Sequence, residues 1–184
     1  MNLHRYVLPT LIVLVALAGC GGPSGSKPPD YAKALRGAPA PLAGLYSQAN
    51  QLVPGGKAVF EKRLSQLRGY PVVVNLWASW CGNCRIEFAL LQKLSAHYGT
   101  RVAFVGIDSE DSDDAATTWL EEAPVPYPSV TDPDREIANS LNLLGFPGTA
   151  FYDRQGELVF LKQGAYRDGS EFEDQIKELL FEQS

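Results

Sequence analysis

Two cysteines three places apart, Cys81 and Cys84, stand in the stretch Trp80-Cys81-Gly82-Asn83-Cys84-Arg85. On the start of a helix that spacing puts their Cα atoms within about 6 Å, close enough for a disulfide to close. The first thiol there meets unpaired backbone N–H groups and the positive end of the helix dipole, which favour a thiolate over a thiol. The chemistry on offer is thiol–disulfide exchange. Cys81, at the exposed end, attacks a disulfide, and Cys84, one turn deeper, resolves the mixed disulfide. Two other uses of the pair stay open: ligation of a soft metal such as copper, and a structural disulfide that never turns over.

The elements that must hold these thiols are legible around them. An apolar, β-branched run, Val72-Val73-Val74-Asn75-Leu76-Trp77, reads as a buried strand ending just before the first cysteine. A helix follows over about 83–97, closed by Tyr98-Gly99. The run 102–107 is apolar at nearly every position, as a strand covered on both faces should be. Ser112 reads as the N-cap of a helix to about 122. The acidic run Glu110, Asp111, Asp113 and Asp114 suits the positive end of that helix, a partner patch being the alternative. A short strand at 128–130, a helix opened by Asp132-Pro133-Asp134 and running to about 141, and a hairpin follow. The hairpin joins 149–152 and 158–161 through Asp153-Arg154-Gln155-Gly156. The last helix, 169–181, turns Phe172, Ile176, Leu179 and Leu180 inward. Upstream, 42–53 suggests a short helix, and 57–68 a better one with Val59, Phe60, Leu64 and Leu67 on one face. The order predicts an α/β domain: a mixed central sheet flanked by helices on both faces, with an N-terminal helical extension.

The N-terminus reads as an address. A positive charge precedes an apolar run over 6–18, too short for the roughly 20 residues that span a bilayer but fitting a secretory signal. It ends in Leu17-Ala18-Gly19-Cys20, which resembles the lipobox of bacterial lipoproteins. On that reading 1–19 is a signal peptide, Cys20 carries lipid, and acyl chains at about 0.8 kcal/mol per buried methylene anchor the chain to a bilayer. Residues 20–41, rich in Gly, Pro and Ser, form a tether, and 42–184 the domain, with its core at about 57–181. The mature protein would face an extracytoplasmic compartment where disulfides persist.

The residues around the dithiol resemble a known family. Trp80-Cys81-Gly82-Asn83-Cys84-Arg85 after Val-Asn-Leu-Trp-Ala-Ser, Tyr127-Pro128 with Asp132, Gly145-Phe146-Pro147-Gly148-Thr149, and the hairpin with Asp153 and Gly156 are similar to the thioredoxin superfamily. The branch is that of the TlpA/ResA-like membrane-anchored thiol–disulfide oxidoreductases. The resemblance implies a thioredoxin fold and a redox-active Cys81–Cys84 disulfide. It implies a cis bond before Pro147, with Phe146 lending its backbone to substrate. Trp80 would pack beside the dithiol and shield it, and Trp77 would support the strand. Asn75 stands where thioredoxin itself has a buried aspartate, and Glu87 would take over as acceptor of the Cys84 proton. The branch reduces disulfides of client proteins with electrons from a membrane donor, one such task being cytochrome c maturation. A disulfide oxidase and a copper-delivery module are the competing functions. Three departures stand out: Asn83 and Ala89 replace prolines, and Gly148 replaces a larger residue and is expected to leave room there.

Composition narrows the partners. A net charge of −5 offers no basic stripe for phosphates, so nucleic acid is not expected. Three cysteines are too few for a stapled scaffold or a four-ligand zinc site. His97 lies about thirteen residues beyond Cys84, roughly 20 Å along one helix, and cannot join the dithiol as a ligand. No metal and no cofactor beyond the dithiol is expected, and the protein is expected to be a monomer.

Overall fold

The computed structural model describes residues 27–181. The signal segment, Cys20 and the first part of the tether lie outside the described residues. Six strands form one sheet in the order β1-β4-β3-β2-β5-β6. At its centre β2 (Val72–Trp77) is buried at every position, which explains its lack of apolar–polar alternation. It runs parallel to β3 (Ala103–Ser109) and antiparallel to β5 (Gly148–Tyr152). Parallel β4 (Ser129–Asp132) and the two-residue β1 (Leu52–Val53) extend one side, and antiparallel β6 (Leu158–Gln163) closes the other.

Seven helices complete the described chain: α1 (Tyr31–Ala34), α2 (Ala40–Tyr46), α3 (Gly56–Gln66), α4 (Gly82–Tyr98), α5 (Asp113–Glu122), α6 (Glu136–Ser140) and α7 (Gly169–Phe181). The thioredoxin-like mixed sheet with its helices is therefore as expected, with four local differences. The short helix expected over 42–53 stops at Tyr46, and Leu52–Val53 instead adds an edge strand. Within the expected tether, Asp30 caps α1, and Tyr31 Oη donates to Pro124 O at 2.9 Å, so order begins before residue 42. The helix expected from Asp132 starts only at Glu136, because Asp132 is a strand residue. Its carboxylate caps the helix from below, accepting the N–H groups of Ile137 and Ala138 at 3.0 and 3.1 Å. Leu180 is half-buried, whereas Phe172, Ile176 and Leu179 are fully in the core.

Packing under the β2–α4 junction is aromatic. Trp77 is fully buried, meets Phe88 of α4 edge-on at 5.2 Å, and donates Nε1 to Ser129 Oγ at 3.2 Å. Gly106 of β3 makes that bond possible: a Cβ there would collide with the Ser129 side chain and lie 3.1 Å from Trp77 Nε1. Phe88 in turn meets Trp119 of α5 edge-on at 5.3 Å. Such pairs add about 0.5–1.5 kcal/mol beyond area burial, so the base of α4 is held firmly against the sheet. α4 runs unbroken from Gly82 to Tyr98, consistent with alanine rather than proline at position 89. Among the described residues, no helix is long and apolar enough to cross a membrane.

Candidate active site

Cys81 is the N-cap of α4, and Cys84 lies in its first turn. The two are joined by a disulfide with a Cα–Cα distance of 5.2 Å. Cys81 Sγ also accepts the backbone N–H of Cys84 at 3.1 Å, a donor that favours negative charge on that sulfur. The exposure expected of Cys81 is small: it is 6% exposed, and Cys84 1%. The N-cap geometry accounts for this, with Cys81 N–H turned back onto Ala78 O at 3.1 Å and its C=O holding Arg85 N–H.

The Phe146–Pro147 bond is cis, just before β5, whose Gly148 pairs with Leu76 of β2. Pro147 O is taken by Gly164 N–H at 2.9 Å, fixing the strand that follows. The room expected at Gly148 is filled by Leu143, whose side chain a Cβ at that position would strike. Glycine is therefore a packing requirement at this point and opens no subsite. Trp80 is 61% exposed and immediately precedes Cys81. It meets the half-buried Phe146 edge-on at 5.8 Å.

Glu87 lies one turn after Cys84 and is 3% exposed, which excludes the reading of a plain surface glutamate. Its Oε1 accepts Tyr166 N–H at 2.9 Å, and Oε2 has no partner. Burial pushes its pKa up to about 7, against the lowering effects of the Tyr166 N–H and the charge of Lys162. Asn75 is buried in β2 with neither amide atom partnered, and its cross-strand neighbour Thr149 has an unpartnered hydroxyl. Buried groups left unpaired cost stability, which makes this patch of the ladder unusual for a core.

Sequence reasoning missed a second buried carboxyl. Asp108, 2% exposed, is the next-to-last residue of β3, in register with Trp77, and its Oδ1 has no partner. Burial raises its pKa to about 8, and the charges of Asp111, Asp113 and Asp132 raise it further. An aspartate at the end of the apolar run Val102-Ala103-Phe104-Val105-Gly106-Ile107 was the available signal. The acidic run also divides differently from expectation. Asp113 and Asp114 do occupy the first turn of α5. Asp111 instead accepts both the N–H and the hydroxyl of Ser79, and Glu110 pairs with Arg135 at 2.6 Å. The Asp111 carboxylate thus ties the end of β3 to the loop before Cys81, and the Glu110 carboxylate ties it to the turn before α6.

His97 is exposed and packs on Tyr98 at 4.5 Å, far down α4 from the disulfide. Among the described residues, no group of three or more His, Cys, Asp or Glu is placed to hold a metal ion.

Residues 51–161 match the AhpC/TSA family. The chain is 33% identical over 168 residues to the thiol:disulfide interchange protein DsbE of Escherichia coli K12, a match covering 88% of this chain and 86% of that one. It is 41% identical over 99 residues to DsbE of Pseudomonas fluorescens biotype C, covering 52% of this chain and spanning 54% of that relative. A crystal structure of a DsbE thiol:disulfide interchange protein from Chlorobium tepidum superimposes with a TM-score of 0.60 at 27% identity, over 64% of this chain and 84% of that one.

Proposed function

The chain belongs to the AhpC/TSA family within the thioredoxin superfamily and is a thiol–disulfide oxidoreductase; on that premise we propose that it reduces disulfides of client proteins outside the cytoplasm of a bacterium. The observation that carries the reading is Cys81 Sγ at the mouth of α4, bonded to Cys84 and facing its N–H.

In the reduced protein, the Cys81 thiolate attacks one sulfur of the client disulfide. The client S–S bond breaks, a Cys81–client bond forms, and the departing client thiolate takes a proton from solvent. Cys84 then gives its proton to Glu87, whose pKa near 7 suits an acceptor at neutral pH. The Cys84 thiolate attacks Cys81 Sγ, closing the disulfide and releasing the second client sulfur as a thiolate, which takes a proton from solvent. Two electrons pass from the dithiol to the client. A membrane donor restores the dithiol, and no further cofactor takes part. Trp80 and Phe146 flank the entry, and the Phe146 backbone beside cis-Pro147 pairs with the client chain.

Lipidation at Cys20 would hold this chemistry at the membrane surface, and the resemblance to the TlpA/ResA-like branch makes cytochrome c maturation the task we favour. A Cys84→Ser variant tests the reading: Cys81 should retain clients as mixed disulfides that dithiothreitol releases. Recovery of none would sink it. The redox potential decides direction, a value well below about −200 mV marking a reductase and one near about −120 mV an oxidase.

A further inference from the structure

Four contacts close a ring at the entry to the disulfide. Trp80 Nε1 donates to Glu110 O at 2.9 Å, and Glu110 Oε2 pairs with Arg135 Nη1 at 2.6 Å. The Arg135 guanidinium lies 5.1 Å from the centre of the Phe146 ring, and Phe146 meets Trp80 edge-on at 5.8 Å. Arg135 Nη2 adds a bond to Leu143 O at 2.8 Å. Trp80 immediately precedes Cys81, and Phe146 immediately precedes cis-Pro147. The ring therefore ties together four separate chain stretches, two of which run directly into Cys81 and cis-Pro147.

The backbone is shaped to make it. Glu110 and Arg135 both sit in the left-handed region, with φ of 55° and 60°, and both donate their N–H to the same acceptor, Asp132 O, at 3.2 and 3.0 Å. A side chain disfavours that conformation, which persists only where the surroundings enforce it and is enriched at functional sites. A partly exposed ion pair contributes little to stability by itself, so stability alone is a poor reason for two such residues to face each other. What the pair does hold is a large aromatic surface left open to solvent at Trp80. Aromatic side chains ordered before binding spare a partner the cost of ordering them.

We propose that the Glu110–Arg135 pair is a positioning device for client binding, holding Trp80 and Phe146 as one preformed wall that receives apolar residues flanking the client's disulfide. The proposal rests on the exchange reaction above and adds the residues that set its affinity for protein clients. Glu110 and Arg135 act through the two aromatic rings and do not touch the sulfurs.

The test uses the full chain and two probes: a disulfide-cyclised peptide with aromatic and aliphatic residues beside its cystine, and hydroxyethyl disulfide. Glu110→Gln and Arg135→Gln should each raise KM for the peptide about fivefold, with kcat within twofold. The double variant should be no worse than either single one, because one pair is broken only once. Arg135→Lys, which keeps the charge but loses the planar two-pronged grip, should fall between wild type and Arg135→Gln. An unchanged peptide KM, additive effects in the double variant, or a kcat that falls in step with 1/KM would each overturn the proposal. If wild-type protein fails to react with hydroxyethyl disulfide, the exchange reading itself is lost; if it reacts and the variants keep the peptide KM, only the aromatic wall is lost.

Discussion

Glu87 in α4 and Asp108 in β3 are both buried carboxyls, and their surroundings push them to different extents. Glu87, on α4, has one backbone donor in Tyr166 and a cation nearby in Lys162, both opposing the effect of burial. Asp108, at the end of β3, has only acidic neighbours, so every further charge adds to the effect of burial. The first reaches about 7 and the second about 8, from lower starting values of 4.5 and 3.8 respectively. Burial makes a carboxyl reluctant to ionise, and its neighbours then decide whether the proton can leave near neutral pH. Glu87 thus changes protonation near neutral pH, whereas Asp108 is kept protonated through most of the neutral range.

The largest effect should come from Asp108. The folded chain keeps its proton up to about pH 8, while an unfolded chain releases it near 3.8. The folded state thus binds more protons across that interval, and stability falls as pH rises through it, by up to about 1.4 kcal/mol per unit. Asp108→Asn should remove that slope, raising the unfolding free energy at pH 8.5 by on the order of 4 kcal/mol and changing it little at pH 4. Urea unfolding of the disulfide form at several pH values checks this. An unchanged slope would mean that the two carboxyls do not differ as described.

Glu87→Gln should act with the same sign over a narrower window, from about 4.5 to 7, and add about 2–3 kcal/mol above pH 8. It should also lengthen the life of the mixed disulfide about tenfold or more at pH 7, which Asp108→Asn should not. Quenched-flow trapping with a thiol-alkylating reagent would reveal a loss of the contrast if both variants slowed resolution equally. The smallest pair of effects sharpens the role of the neighbours. Asp111→Asn should lower the titration midpoint of Asp108 by about one pH unit, and Lys162→Met should raise that of Glu87 by less than one. Carboxyl carbon shifts followed by NMR would read both, and shifts of the opposite sign would undo the electrostatic account.

The candidate site was legible where its signal is local. Cys81 and Cys84 announce themselves by spacing, the strand before them by its β-branched run, and Ser112 and the 153–156 turn by their residue types. Glu87 was legible because a helix brings residues three apart onto one face. Asp108, Arg135 and Tyr166 were not. Each acts through a partner more than twenty residues away in the chain: Trp77 in the sheet for the first, Glu110 for the second and Glu87 for the third. Asp132 was legible as a helix signal but mislocated, since its carboxylate reaches the helix from a strand. Gly148 misled for the same reason, because the side chain that fills its space belongs to Leu143 on the preceding loop.

By itself the order of residues determined the dithiol, the strand and helix that carry it, and the layered α/β class, because hydrophobic period, capping chemistry and cysteine spacing are properties of neighbouring residues. The tertiary structure alone decided which carboxyls are buried, which of them have a cation in reach, and that Glu110 after β3 meets Arg135 after β4. Those outcomes depend on desolvation and on charges brought close by the packing of distant segments, and neither quantity exists until the chain has closed around them.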